Sequence, residues 1–402
     1  MSIYFDNAAT TKTSESVREV MQKVMDEDFG NPSSLHIVGV NAEKYIKNAQ
    51  EVIAETLKVE PKEIYFTSGG TEANNMAIIG AAMANKRSGK KIITTQVEHP
   101  SVASPMKYLE EQGFEVVYLP VDENGVVSKE TFERKMDEDT ILVSIMHVNN
   151  EVGAVMPIEE IGKIAKSINP SVVYHVDAIQ SYGKYEIRPK KCNIDLLTVS
   201  GHKIHGPKGV GFIYIRKGTK INPILLGGGQ QLGMRSGTEN VPGIAGLAKA
   251  AQEAYDGLNS YVNQMVNLKD YMIDSLNAMG ERLDKDGDVM ETLVNGNHTI
   301  TVNSQKGSDG APHIVSVSFR NVGSEVMLHA LEDKEIYISA GSACSSNKPA
   351  VSETLKAMNV DKGLLKSTVR FSFNRNNTKE EVDEALKAIE ELIPLLSKFV
   401  RR

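Results

Sequence analysis

Short apolar runs alternate with segments of helical spacing between residues 64 and 215. Strands are predicted over residues 64–67, 91–95, 115–119, 140–148, 172–176, 196–200 and 210–215. Helices are predicted between them over residues 72–84, 101–112 and 157–167, the last with a proline in its first turn, where a missing N–H is tolerated. Strands that alternate with helices form mostly parallel sheets with helices on both faces. The pattern therefore predicts an α/β fold whose central sheet is mostly parallel and flanked by helices.

The pattern changes after residue 241. A long helical segment is predicted through Lys249, Asn263 and Asp270, and a shorter mixture of elements follows. Its strands are predicted over residues 313–319, 335–338 and 367–373, and its helices over residues 324–331 and 378–399. The polar, glycine-containing stretch 295–311 is predicted to be a surface insertion, in which HTITVN forms a short strand. We therefore expect a large domain over residues 16–255 and a smaller α+β domain formed by residues 1–15 and 256–402.

Composition narrows the class of protein. The 402 residues carry a net charge of −7, whereas nucleic-acid-binding surfaces usually bring a basic excess. The start MSIYFDNAATT lacks the basic and apolar regions of a signal peptide, and the apolar run 76–84 is too short to span a bilayer. The two cysteines, Cys192 and Cys344, lack the spacing of a zinc ribbon or a disulfide scaffold, so no metal is predicted. We expect a cytoplasmic protein that binds neither nucleic acid nor membrane.

Ligands of open α/β sheets bind beyond the carboxyl ends of the strands, so the residues after each strand are candidates. The first strand is followed by TSGGTE, which contains Gly70 and Thr71. Glycine there lets the backbone approach a phosphate, and a helix that begins there presents free N–H groups. Helix capping alone also explains this turn. His99 and Asn150 follow two further strands. A lone histidine before a helix is more often structural than catalytic, and turn formation is the simpler explanation for Asn150.

Two other strand ends carry ionisable groups. Asp177 follows the apolar strand 172–176, with Gln180 three residues later. A buried carboxylate is costly without a cationic partner, but aspartate also caps helices well, and the sequence favours neither explanation. The strand 196–200 leads into His202 and Lys203. A lysine at a strand end beside a cleft is a candidate amine nucleophile, because desolvation lowers the pKa of such a group.

Together these side chains match what pyridoxal phosphate requires of a protein. Lys203 would form a Schiff base with the cofactor aldehyde, and Asp177 would keep the pyridine nitrogen protonated. His99 would stack on the ring, and Gln180 would form a hydrogen bond with the ring hydroxyl group. The phosphate would be held by three residues: Thr71, Ser200 and His202.

Nine motifs extend this match along nearly the whole chain: YFDNAATT, FTSGGTEANN, EHPSV, VNNEVG, HVDAIQS, SGHKIHGPKG, GGGQQLGMRSGTEN, SAGSACSS and VRFSFN. In these motifs the sequence resembles the class-V aminotransferase-like, fold type I pyridoxal-phosphate enzymes, and within them the cysteine desulfurases of the NifS/IscS kind. The resemblance implies that Lys203 is the Schiff-base lysine and that Gly70 joins Thr71 at the phosphate. It places Asn150 beside Gln180 near the ring hydroxyl group. The stretch 295–311 is longer than is usual in the family.

Two further roles rest on the resemblance. Thr238, in RSGT, would reach the cofactor phosphate of a neighbouring subunit, which implies a homodimer with shared active sites. Cys344, in a segment of small residues, would take sulfur from L-cysteine, leaving L-alanine and a persulfide for an acceptor protein. A mobile segment suits that task because the thiol has to reach both substrate and acceptor. Cys192 is predicted to be structural.

The implied mechanism assigns the remaining contacts. Lys203 would remove the α-proton of the substrate with help from His99. Arg370 and Asn150 would bind the substrate carboxylate, because a guanidinium group can bond both of its oxygens. The alternative role for Arg370 is a salt bridge between sheet and helix. The acceptor remains open between iron–sulfur cluster scaffolds and enzymes of thio-cofactor or tRNA thiolation.

Two other functions are considered. One is an aminotransferase or selenocysteine lyase on the same fold, which would not need Cys344. The other is a non-catalytic scaffold that binds a sulfur acceptor, and it would tolerate the loss of Lys203. The complete set of cofactor-binding residues argues against the scaffold.

Overall fold

The protein is described from a computed structural model that covers residues 2–286, 298–340 and 351–397. The strands are, in chain order, β1 (Ile3–Tyr4), β2 (Ile64–Thr67), β3 (Lys91–Thr95), β4 (Glu115–Leu119), β5 (Thr140–Met146), β6 (Val173–Asp177), β7 (Leu196–Ser200), β8 (Gly211–Ile215), β9 (Ile300–Val302), β10 (Ile314–Phe319), β11 (Ile336–Tyr337), β12 (Ser339–Ala340) and β13 (Thr368–Ser372). The helices are α1 (Glu15–Asp26), α2 (Ile37–Leu57), α3 (Gly70–Asn85), α4 (Pro100–Glu111), α5 (Lys129–Lys135), α6 (Ile158–Ile168), α7 (Val241–Asp256), α8 (Leu258–Asp286), α9 (Ser324–Glu332), α10 (Glu353–Ala357) and α11 (Lys379–Leu396). Within these ranges, none of the helices combines the length and the apolar character needed to cross a membrane.

The central sheet has seven strands in the order β2-β8-β7-β6-β5-β3-β4. Strands β3 to β7 pair in parallel, and β8 runs antiparallel to both of its neighbours. Every side chain of β5, β6, β7 and β8 is buried, as expected for strands covered by helices on both faces. This arrangement confirms the predicted mostly parallel sheet.

A second core forms around a smaller sheet from the C-terminal half of the chain. Its four strands pair antiparallel in the order β12-β13-β10-β9, and β1 pairs in parallel with β11 beside them. Phe5, just after β1, packs edge-on against Phe371 and Phe373, with ring centroids 6.3 and 5.2 Å apart. The first residues of the chain therefore belong to the same core as its last strands. The proposed domain boundaries remain a prediction.

Two sequence expectations differ from the structure. The long helical segment after residue 241 is two helices, because α7 ends at Asp256, Gly257 caps it, and α8 begins at Leu258. The stretch 295–311 is not a surface insertion over its described part, residues 298–311. Ile300 lies in β9, and Asn303, Ser304 and Ala311 are buried. Apolar residues and backbone contacts anchor this part of the chain despite its polar composition.

Candidate active site

A cavity of about 230 Å³ lies beyond the carboxyl ends of β5, β6 and β7 and beside the first turn of α3. This is where a parallel sheet is expected to bind its ligand. Ten of the twelve predicted site residues line it: Gly70, Thr71, His99, Asn150, Asp177, Gln180, Ser200, His202, Lys203 and Arg370. The fold therefore brings together residues that are spread over 300 positions of the sequence.

Two glycines shape the wall of the cavity at the start of α3. Gly69 has φ 147° and ψ −175°, a backbone conformation that is essentially confined to glycine. Gly70 has no room for a side chain, because a Cβ atom there would lie 2.2 Å from Cδ1 of Ile179. The first N–H groups of a helix have no partner within the helix, so this turn presents donors suited to an anion. Ser200 lies beside it.

Asp177 is the carboxylate of the cavity. Its Oδ1 accepts a hydrogen bond from the backbone N–H of Ile179 at 2.9 Å, and its Oδ2 accepts one from the Asn74 amide at 2.8 Å. Burial raises the pKa of Asp177, and the two hydrogen bonds and the nearby His99 and Lys203 oppose that rise. The hydrogen bond from the Ile179 N–H to Asp177 resembles that of a helix N-cap, so Asp177 stabilises the turn after β6 as well as lining the cavity.

Lys203 is held by the N-terminal segment of the chain. Its Nζ donates to the carbonyl oxygens of Ala8 and Ala9 at 2.5 and 2.7 Å. The same segment is fixed to the lysine turn because Thr11 donates to the carbonyl oxygen of His202 through both its N–H and its hydroxyl group. The amine is therefore positioned at the cavity by backbone carbonyls from a distant part of the sequence.

Two histidines contribute neutral rings. His99 precedes α4, and its Nδ1 contacts the backbone N–H of Ser101 at 3.1 Å and the Ser101 hydroxyl group at 2.8 Å. Burial is the main cause that lowers the pKa of His99. Burial also lowers the pKa of His202 to about 4, and the Nδ1 of His202 lies 3.2 Å from the Thr10 hydroxyl group. Neither ring adds a positive charge at neutral pH.

Arg370 presents an incompletely bonded guanidinium group. Its Nη1 donates to the carbonyl oxygen of Asn150 at 2.7 Å, and its Nη2 donates to Asp6 Oδ1 at 3.0 Å. Its Nε is buried without a hydrogen-bond partner in the described part of the chain. The alternative of a salt bridge is thus partly correct, although the partner is the N-terminal segment. Nη1 and Nη2 each keep a second hydrogen, so the guanidinium group retains donors for an anionic ligand of the cavity that Arg370 lines.

Comparisons with known proteins agree on a family. A family model described as "Aminotransferase class-V" matches residues 3–385. The chain belongs to the class-V aminotransferase family. It is 42% identical to the cysteine desulfurase IscS of Methanosarcina thermophila over 395 residues, which cover 98% of this chain and 93% of that protein. A solved structure of a NifS-like protein matches with a TM-score of 0.89 and 39% identity, covering 98% of this chain and 100% of the other.

A solved structure of SspA in complex with cysteine also matches, with a TM-score of 0.76 and 33% identity over 94% of this chain and 100% of that one. These similarities place the chain among the cysteine desulfurases of the NifS/IscS kind. Enzymes of this family depend on pyridoxal phosphate, and so does this chain.

The cavity of this class-V aminotransferase fits that cofactor. The start of α3, with Ser200 and His202, offers uncharged donors for the phosphate. Asp177 is a carboxylate suited to a protonated ring nitrogen, and Lys203 is a primary amine suited to the aldehyde. The absence of a side chain at Gly70 lets the start of α3 pack closely against Ile179 and Ser200, two other residues that line the cavity.

Sequence reasoning missed several residues of this class-V aminotransferase site. Ala8 and Ala9 act through their carbonyl oxygens, and alanine side chains give no sign of that. Gln180 donates to the Ala8 carbonyl at 3.0 Å and faces Nε2 of the buried His313 at 3.2 Å. His313 opens a predicted strand, and only its polarity before an apolar run distinguished it. Asn74 lies inside α3, where asparagine is an unusual choice.

The two remaining predicted residues are not at the cavity. Thr238 is exposed and does not line it. Its segment is fixed to the start of α3 by Arg235, which bonds both carboxylate oxygens of Glu72 at 2.9 and 3.2 Å. Cys344 lies outside the described residues.

Proposed function

We propose that this member of the class-V aminotransferase family is a cysteine desulfurase that converts L-cysteine to L-alanine and leaves the sulfur as a persulfide on Cys344. One observation carries the proposal. The Lys203 amine, the Asp177 carboxylate and the Arg370 guanidinium group meet at one cavity. An amino acid substrate needs a site for its carboxylate beside the cofactor, and Arg370 supplies it.

Substrate binding follows from the bonds of Arg370. Asp6 and the carbonyl oxygen of Asn150 hold the guanidinium group in place through two of its nitrogens. The remaining hydrogens of these two nitrogens then pair with the substrate carboxylate, and Asn150 lines the same cavity. A guanidinium group fixed in this way binds with a smaller loss of side-chain entropy than a free one.

Bound pyridoxal phosphate supplies an electron sink that stabilises negative charge on the α-carbon of the substrate. Asp177 keeps the charge on the ring nitrogen that this requires, and Ser200, His202 and the start of α3 hold the phosphate. Lys203 removes the α-proton once its amine is free, and His99 stacks on the ring and carries protons in the same cavity. Gln180 and Asn150 orient the ring hydroxyl group.

Sulfur transfer is the task of Cys344. Its thiolate attacks the substrate sulfur, the carbon–sulfur bond breaks, and the electron pair of that bond stays with carbon, which is then protonated to give alanine. L-cysteine and one enzyme thiol thus become L-alanine and one enzyme persulfide, so no external oxidant or reductant is needed. An acceptor protein of iron–sulfur cluster assembly or of thio-cofactor or tRNA thiolation takes the sulfur. We place the reaction in the cytoplasm.

The active enzyme is a homodimer in this proposal. Nine of the exposed large apolar side chains fall in two segments: Met25, Phe29, Leu35, Ile37 and Val40 in one, and Ile224, Leu225, Leu226 and Leu232 in the other. Leu35 is 98% exposed and Leu232 is 82% exposed, which is unusual for leucine in a protein that works alone. The second segment leads directly to Thr238, which supports a contact of Thr238 with a neighbouring subunit.

The two cysteines of the chain allow a matched test. Cys344→Ser should still bind pyridoxal phosphate and L-cysteine, but it should form no persulfide and almost no alanine, because a serine hydroxyl group is barely ionised near neutral pH. Cys192→Ser should keep full activity, since Cys192 is buried. The measurement is alanine and sulfane sulfur per subunit after one equivalent of L-cysteine. Wild-type yields of both from the Cys344 variant would favour the aminotransferase or selenocysteine lyase instead.

A further inference from the structure

A chain of buried polar side chains crosses the sheet behind Asp177. The Ser144 hydroxyl group lies 2.8 Å from Nδ1 of His175, and Nε2 of His175 lies 3.1 Å from the Thr198 hydroxyl group. That hydroxyl group donates to Oδ1 of Asn74 at 2.5 Å, and Nδ2 of Asn74 donates to Asp177 at 2.8 Å. Four members of this hydrogen-bonded series are 0% exposed, so water does not compete for these bonds: Ser144, His175, Thr198 and Asn74.

The donors and acceptors in this series of hydrogen bonds can be assigned in only one way. A carboxylate accepts hydrogen bonds, so the amide nitrogen of Asn74 faces Asp177 and its oxygen faces Thr198. Thr198 must then donate to Asn74, and it accepts from Nε2–H of His175. Burial lowers the pKa of His175 to about 3, so the ring is neutral and its Nδ1 accepts from the Ser144 hydroxyl group.

A branch of the same series of hydrogen bonds reaches His99. The second amide hydrogen of Asn74 is donated to the Ser101 hydroxyl oxygen, with Nδ2 and Oγ 2.9 Å apart. The Ser101 hydroxyl hydrogen is therefore directed to Nδ1 of His99, which also accepts from the Ser101 backbone N–H. A ring nitrogen that accepts two hydrogen bonds carries no proton. The proton of the neutral His99 ring then resides on Nε2, the nitrogen left for the cavity.

We propose that Asn74 is a positioning residue that sets two groups of the active site at once: it holds Asp177 as a carboxylate and His99 as its Nε2–H tautomer. The proposal rests on the proposed function, because both groups act on the cofactor or the substrate. Burial alone would favour the protonated form of Asp177, and the charged group that opposes it from a neighbouring element is Lys203. Asn74 adds a hydrogen bond to the carboxylate, and Thr198 fixes which way the amide points.

The first test removes the amide. Asn74→Leu should raise the dissociation constant for pyridoxal phosphate at least about tenfold, because a hydrogen bond to a charged group is lost. In ring ¹⁵N spectra of the cofactor-free protein, His99 should change from one tautomer to a mixture. Asn85→Leu is the matched control. Asn85 is also a buried asparagine of α3, and its side-chain amide donates to the backbone carbonyls of Ala81 and Lys220.

The second test keeps Asn74 and changes only its anchor. Thr198→Ser retains the hydroxyl group and should leave the His99 tautomer and the cofactor affinity within about twofold of wild type. Thr198→Val retains the shape but removes the donor, so it should shift both in the direction of Asn74→Leu. If Asn74→Leu does not fold, the comparison of Thr198→Ser with Thr198→Val still tests whether Asn74 positions Asp177 and His99.

An unchanged His99 tautomer and an unchanged cofactor affinity in both Asn74→Leu and Thr198→Val would overturn the proposal. Equal losses in Asn85→Leu and Asn74→Leu would overturn it too, since they would show a general effect on α3. A wild-type protein that binds no pyridoxal phosphate would contradict the proposed function instead. The ¹⁵N spectra are recorded without cofactor, so they separate the two failures.

Discussion

Glu98 is a carboxyl group that the protein keeps away from both water and cations. Its Oε1 accepts hydrogen bonds from the Thr95 hydroxyl group at 2.8 Å and the Met146 backbone N–H at 3.0 Å. Its Oε2 is buried without a partner in the described residues. Burial raises the pKa of Glu98 to about 8, so the residue beside His99 is uncharged at neutral pH.

This burial predicts a pH-dependent stability. Between pH 4.5 and about 8 the unfolded chain loses the Glu98 proton while the folded protein keeps it, so the free energy of unfolding falls as pH rises through this window. Each unit of pKa shift is worth about 1.4 kcal/mol, so the total effect is several kcal/mol. Glu98→Gln removes the ionisation and should lose less stability between pH 5 and pH 8 than wild type.

Denaturant unfolding at the two pH values measures this difference. Glu115→Gln, at an exposed glutamate in β4, is the control and should follow wild type. A parallel decline of wild type and Glu98→Gln would show that Glu98 ionises normally in the folded protein.

At the scale of elements, α8 anchors the loop that follows β9. Lys269 of α8 is 0% exposed, and its ammonium group donates to the carbonyl oxygens of Gln305, Gly307 and Gly310 at 3.1, 2.9 and 3.4 Å. The loop in turn pairs with the segment after β5, where Gly310 bridges to Ala154. The buried ammonium group of Lys269 thus connects α8, through the loop after β9, to the segment that follows β5 of the central sheet.

Replacing this ammonium group should be costly. Lys269→Met keeps most of the volume but leaves three carbonyl oxygens without a donor, and each unsatisfied buried group costs roughly 1–3 kcal/mol. We expect the free energy of unfolding to fall by several kcal/mol. Lys306→Met, in the same loop, removes an exposed ion pair with Asp274 and should leave the free energy of unfolding close to that of wild type. Equal losses in the two variants, measured by denaturant unfolding, would contradict the role of Lys269.

Helices and strands could be predicted from the sequence where the spacing of apolar residues distinguished one from the other. The strands of the large sheet were found because fully buried strands read as continuous apolar runs, and the strand ends then located Asp177 and Lys203. The break at Gly257 was not found, because a single glycine inside a helical pattern is often tolerated. The contacts of Ala8, Asn74 and His313 were also missed. They depend on which distant segments meet in three dimensions, and a single sequence does not record that.

At the scale of the whole molecule, the N-terminal segment joins the two cores and the site. Asn7 donates to the Ser372 carbonyl at 2.9 Å and accepts from the Asn374 amide at 2.6 Å. The backbone N–H of Ala8 donates to the Ser372 hydroxyl group at 2.8 Å, and the Ala8 carbonyl faces Lys203. The position of the lysine therefore depends on the last strand of the smaller sheet.

A shared active site predicts complementation between two inactive subunits. Lys203→Ala and Thr238→Ala, purified together as a hybrid carrying two different tags, should regain one intact site per dimer. Its activity should be about half that of wild type, because the other site carries both substitutions. L-alanine release by the hybrid is compared with that of each variant alone. A hybrid no more active than the mean of the two variants would show that Thr238 acts within its own subunit.

The path of the N-terminal segment also has a consequence for synthesis on the ribosome. Ala8 is translated before its partner Ser372, which follows 364 residues later. At roughly 5–20 residues per second, that delay is on the order of 20–70 s. The central sheet is complete once β8 has been made, but the Ala8 segment that faces Lys203 still lacks its anchor at Ser372. The lysine is therefore set in place only after β13 has been translated, so a chain interrupted before Ser372 should be unable to assemble the site.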